Sequence, residues 1–61
     1  MKVSELRRKL EKAGWYLYRS GSNHDIYRHK DSDKQIPLER HQTKEVAKGT
    51  ERAILKLAGL L

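Results

Sequence analysis

The chain contains no cysteine. Disulfides, thiolate nucleophiles and cysteine-based zinc sites are therefore excluded, and the composition fits a reducing compartment. Long apolar runs are also missing. The opening Met1-Lys2-Val3-Ser4-Glu5 lacks the hydrophobic stretch of a signal peptide, and no segment approaches the length of a membrane span. The expectation is a soluble cytoplasmic domain with no membrane partner. There are no repeats, low-complexity tracts or linkers, no glycine-rich phosphate loop and no carboxylate pair at catalytic spacing. A nucleophilic triad is absent too, because Ser22 and His24 stand two apart on an extended segment and rarely reach each other there. Proline occurs once, at Pro37.

Acidic residues are few. Fourteen Lys and Arg stand against eight Asp and Glu, a formal charge of +6 in 61 residues. Such a balance points to a nucleic acid or another acidic partner. The length allows one domain, spanning 1–61, near the lower limit for a chain folding on its own core. With 36% apolar and 36% charged residues, that core is small and the surface heavily solvated.

Val3, Leu6, Leu10 and Ala13 recur at helical spacing, with Ser4 as N-cap and Gly14 as stop, which predicts a helix over 4–13. Alternation predicts a strand over Trp15–Ser20, with Trp15 and Leu17 in the core. Gly21-Ser22-Asn23 is turn chemistry. A second strand, His24–His29, is expected to point Ile26 inward and Asp25, Tyr27 and His29 outward. A third, Lys34–Leu38, sends Ile36 and Leu38 to the core and must lie at a sheet edge, because Pro37 has no amide hydrogen to donate. The polar stretch after it holds a helical turn around Glu45 and Val46. A last helix starts with Thr50 as N-cap and buries Ala53, Ile54, Leu57 and Leu61. The result is an α+β fold in the order α-β-β-β-α: a three-stranded antiparallel sheet with two helices on one face, the general arrangement of double-stranded-RNA-binding domains.

His24, at the leading end of the second strand, is the first candidate for chemistry. Imidazole takes or gives a proton near neutrality, which RNA cleavage by attack of a 2′-hydroxyl on the adjacent phosphate requires. Nearby cations would stabilise the charge developing on phosphorus, and Arg19, Arg28, Lys30 and Arg40 are the candidates. The alternative is a histidine that only starts its strand and bonds the turn. His29 and His41 are weaker candidates, and no histidine pair has the i, i+4 helical spacing of zinc motifs, so no metal site is assigned. Lys44, Lys48, Arg52 and Lys56 form a basic stripe that suits a phosphate backbone, or an ordinary solvated helix face. Tyr16, Tyr18 and Tyr27, with His29, would share the sheet face away from the helices, where aromatics stack on bases or anchor a protein partner.

The chain also resembles the HicA toxin family, the ribonuclease partner of HicB in toxin–antitoxin modules. The resemblance runs nearly end to end, through Ala13-Gly14-Trp15, Gly21-Ser22-Asn23-His24-Asp25-Ile26-Tyr27-Arg28-His29, His41-Gln42-Thr43-Lys44-Glu45-Val46-Ala47-Lys48-Gly49-Thr50 and Ile54-Leu55-Lys56-Leu57-Ala58-Gly59-Leu60. It implies a double-stranded-RNA-binding-like fold, messenger RNA cleavage without a metal or other cofactor, a catalytic role for His24, and a HicB-like antitoxin covering the active face. Many relatives carry proline two residues before the histidine matching His41; here that position is Glu39, and the proline is Pro37. A non-catalytic RNA-binding module on the same basic surface is the alternative.

Overall fold

Apolar residues three and four apart on a helix share one face, and Val3, Leu6 and Leu10 are all fully buried. In the computed structural model, which describes residues Met1–Leu61, they lie on α1 (Val3–Lys12). β1 (Trp15–Ser20), β2 (His24–His29), β3 (Ser32–Glu39) and α2 (Lys48–Leu57) follow in chain order. The strands form an antiparallel sheet in the order β1-β2-β3. Trp15, Tyr27, Ile36 and Leu38 meet Val3, Leu6 and Leu10 of α1 and Leu55 of α2 in one cluster, so both helices cover the same sheet face. The α+β class, the element order and the edge position of the Pro37 strand are as the sequence predicts.

Both helices begin two residues or so before the predicted caps. α1 starts at Val3, with Lys2 rather than Ser4 as N-cap. The first amides of a helix need outside acceptors, and the strap between β3 and α2, residues 40–47, supplies them: Val3 donates to the Lys44 carbonyl and Ser4 to the Gln42 carbonyl, both at 3.0 Å. The same strap pairs Lys2 with Glu45 as an isolated antiparallel bridge, replacing the helical turn expected at Glu45 and Val46. α2 starts at Lys48 after Ala47, so Thr50 is inside it. Leu55 is its buried residue and Ile54 and Ala58 pack beside it. Ala53 and Leu57 instead line a groove, and Leu61 is exposed.

The main correction concerns β2. Directly opposed residues in an antiparallel pair share a face. Tyr27 lies opposite Ile36 and Asp25 opposite Leu38, so Asp25, Tyr27 and His29 face the helices. Ile26, opposite Pro37, lies on the open face with His24 and Arg28. Tyr27 is 1% exposed. Its polar tip reaches α1: the hydroxyl accepts from Arg7 Nη1 and donates to Glu11 Oε2 at 3.4 Å. Burial pushes that hydroxyl's pKa up, against the opposing pull of Arg7, so it stays protonated. His29 is equally committed. Its Nδ1 accepts from the Asp31 amide at 3.0 Å, leaving Nε2–H to donate to the Ala13 carbonyl at 3.0 Å, and its ring meets Trp15 edge-on at 5.4 Å. Neither Tyr27 nor His29 belongs to an open partner face.

That contact also fixes the residue after α1. Gly14 has φ +98°, and a Cβ there would stand 2.7 Å from His29 Nε2, so both backbone and space demand glycine. In β1 the register slips between Leu17 and Arg19, leaving Tyr18 as a bulge. Leu17, expected in the core, is 50% exposed, because it sits on an edge strand outside the cluster that the helices cover.

Candidate functional site

The turn Gly21-Ser22-Asn23 is closed by its ends: the Gly21 amide donates to the His24 carbonyl at 2.7 Å. The main chain of His24 thus holds the turn, and its imidazole is left exposed on the open face. Glu39, the last residue of β3, lies directly opposite it. Arg40 follows, at the same end of the sheet.

A partly buried carboxylate fastens that end. Asp25, its side chain 13% exposed, is paired with Arg7 Nη2 at 3.4 Å and Arg40 Nε at 3.1 Å. Burial alone would push the Asp25 pKa up; the bonds from the Ser20 hydroxyl and Arg40, with the charges of Arg7 and Arg40, outweigh it and hold the carboxyl below its ordinary value of 3.8. A depressed carboxylate stabilises the fold above its unfolded pKa and loses that contribution as pH falls through the folded one. Acid titration of the Asp25→Asn variant should therefore lack a loss of stability that wild type shows below about pH 4, read as the difference between the two urea midpoints. A gap that stays constant down to pH 2 would refute the pairing.

Arg7 is the hub that sequence reasoning missed. Besides Tyr27 and Asp25 it bonds the Glu39 carbonyl through Nη2 at 3.1 Å, and the Gln42 amide oxygen, correctly oriented, accepts from Nε at 3.1 Å. Its guanidinium also lies 5.3 Å from the Tyr27 ring centroid. One residue of α1 thereby ties β2, the end of β3 and the strap together. A signal was available, since Arg7 lies three before Leu10 and four after Val3, on the buried face of α1.

The basic candidates divide by position. Arg40 spends Nε on Asp25, yet its side chain is 44% exposed and its Nη groups bond no protein acceptor. Lys44 reaches the same end, donating to Glu39 Oε1 at 3.1 Å. Arg19, opposite Ile26, and Arg28, opposite Tyr16, share the open face with His24. Arg28 stacks on Tyr18, 4.9 Å from the ring centroid, and its buried Nε has no partner. Tyr16 and Tyr18 are half-exposed there, as expected. Lys30 lies in the turn after β2, a strand's length from His24, about 20 Å. A groove of about 570 Å³ runs between β3 and α2, lined among others by His24, Pro37, Glu39, Val46, Ile54 and Leu57. Arg52 and Lys56 are not part of its wall, and Lys48 is at the start of α2.

A family model described as HicA toxin of bacterial toxin-antitoxin matches residues 3–60. The chain belongs to the HicA toxin family. The match takes in all five elements of this HicA chain and every candidate residue above. It assigns the chain to the toxin side of a toxin–antitoxin pair, with an antitoxin as its partner. No curated protein matches it. No helix of this HicA protein is long and apolar enough to cross a membrane.

Proposed function

We propose that this HicA toxin is a metal-independent endoribonuclease that cuts messenger RNA in the cytoplasm, with His24 as general acid or base and a HicB-like antitoxin as its inhibitor. The observation that carries the reading is the placement of His24. Its ring is exposed, bonds no protein group, shares the open face with Arg19 and Arg28, and stands at the sheet end that carries Arg40. In a positively charged setting a polyanion is drawn in, and imidazole serves proton transfer at the 2′-hydroxyl or at the leaving oxygen. Arg40 is the best-placed cation for the scissile phosphate, since Asp25 anchors Nε and leaves two Nη donors, the fork that matches a phosphate's oxygens. Arg19 and Arg28 would follow the backbone across the face. Lys44 adds charge at the same end, whereas Lys30, Lys48, Arg52 and Lys56 would act at longer range.

One observation favours the second reading, a non-catalytic RNA-binding module. Tyr18 with Arg28 stacked on its ring, and the half-exposed Tyr16 opposite Arg28, suit bases as well as an antitoxin. Incubating labelled messenger RNA with the purified protein in EDTA separates the two. New fragments are the expected result. Intact RNA, with a mobility shift that fades as salt rises, would replace the ribonuclease with the binding module.

A further inference from the structure

Glu39 is an acid in a place where RNA is expected, and its surroundings give it a use. It stands directly opposite His24 across β2 and β3. Opposed residues of an antiparallel pair point to one face with Cβ atoms about 4.5–5.5 Å apart, and both residues border the same groove. The main chain of Glu39 is pinned, because its carbonyl accepts from Arg7 Nη2 at 3.1 Å. Its carboxylate is half used: Oε1 accepts from Lys44 Nζ at 3.1 Å, while Oε2 takes no protein donor. The imidazole across from it likewise has no protein hydrogen bond. A ring left with no partner at all would turn freely and exchange its proton between both nitrogens, whereas a general base needs one nitrogen bare and aimed at the substrate.

We propose that Glu39 is the positioning residue for His24, its free carboxylate oxygen accepting the N–H of one imidazole nitrogen and leaving the other as the base that faces the RNA. This rests on the ribonuclease reading above and deepens it. In the cleavage step the O2′–P bond forms as the P–O5′ bond breaks, the 2′ proton passes to His24, and the 5′ oxygen takes a proton from water. The Glu39 carboxylate keeps its hold on the ring and stabilises the imidazolium that results, as carboxylates do for histidines in other proton-transfer sites. Lys44 completes the arrangement. By occupying Oε1 it offsets the repulsion between the carboxylate and the incoming phosphate, so the acid can stay in the RNA path.

The test reads the imidazole directly and the reaction separately. Nitrogen-15 NMR of the His24 ring gives the tautomer ratio of the neutral side chain in wild type, Glu39→Ala and Lys44→Met. One tautomer should dominate in wild type and in Lys44→Met, and both should be populated in Glu39→Ala. Single-turnover cleavage by Glu39→Ala should fall by about 10- to 100-fold, with partial recovery in Glu39→Asp. Binding of a 2′-deoxy oligonucleotide, which cannot be cut, should be unchanged or tighter, because a negative charge has gone. An identical tautomer ratio in wild type and Glu39→Ala, or a Glu39→Ala rate equal to or above wild type, overturns the proposal. A tautomer fixed by Glu39 in a wild-type protein that leaves RNA intact would instead sink the ribonuclease reading and uphold the pairing.

Discussion

His24→Ala should fold like the wild type and lose about 10² to 10⁴ of the cleavage rate, the usual contribution of a general acid or base. The fold is expected to survive because the ring contributes nothing to it. The imidazole is exposed and bonds no protein group, and the turn is closed by the main-chain carbonyl of residue 24, which alanine keeps. RNA binding should persist as well, since Arg19, Arg28 and Arg40 remain. Circular dichroism, a thermal melt and binding of an uncleavable RNA would establish those two points before the rate is measured. A folded His24→Ala protein that cuts RNA at the wild-type rate would remove His24 from the mechanism and pass the proton transfer to another group, with His41 next in line. The antitoxin should still bind the folded, inactive variant.

The second large effect lies one turn of the pleat away. Tyr27→Ala should leave the chain largely unfolded at room temperature. Truncating a buried aromatic costs about 3–5 kcal/mol, and a core of this size rarely supplies more than about 3–5 kcal/mol in total. Tyr27 is among the largest fully buried side chains, and its loss would also strip Arg7 and Glu11 of a shared hydroxyl. Tyr27→Phe separates the two contributions. The ring stays, and the unsatisfied groups around the lost hydroxyl should cost about 1–3 kcal/mol, visible as a lower urea midpoint with an unchanged slope. Tyr16→Ala, on the open face, should lie within about 0.5 kcal/mol of wild type. Equal stability for Tyr27→Ala and Tyr16→Ala would mean that β2 faces the other way.

That contrast marks where the sequence could be read and where it could not. Val3, Leu6 and Leu10 announce their helix because nothing interrupts their spacing, and Pro37 announces an edge because it has no amide proton to give. Ile36 and Leu38 are inward for the same plain reason of alternation. In β2 alternation names the wrong side. Ile26 is its only aliphatic residue, yet the helix-facing positions go to an acid, a tyrosine and a histidine whose polar tips find Arg7, Arg40, Glu11 and the Ala13 carbonyl. Those partners lie on other elements, and hydropathy along one strand carries no trace of them. The same holds for the strap, where Lys2 and Glu45 meet across 43 positions of chain, and for α2, whose apolar stripe includes Ala53 and Leu57, which line an open groove, while Leu55 takes the core. The candidate site was legible in His24 and in the Arg40 beside its strand end. Glu39 as the residue facing it was not, because register is a property of two strands and the turn between them.

The reversed phase of β2 has a consequence for cells that escape the toxin. Along six residues, positions that pin the helices alternate with positions that face outward, separated by the thickness of one sheet. Survivors selected against toxicity should therefore fall into two classes at neighbouring codons. Changes at positions 25, 27 and 29 would yield little or no protein and leave the antitoxin idle. Changes at position 24 would yield abundant, inert protein that still occupies the antitoxin, and a cell carrying such an allele beside an active copy would release the active copy from its inhibitor. Two mutations one codon apart would then have opposite effects on the same neighbour.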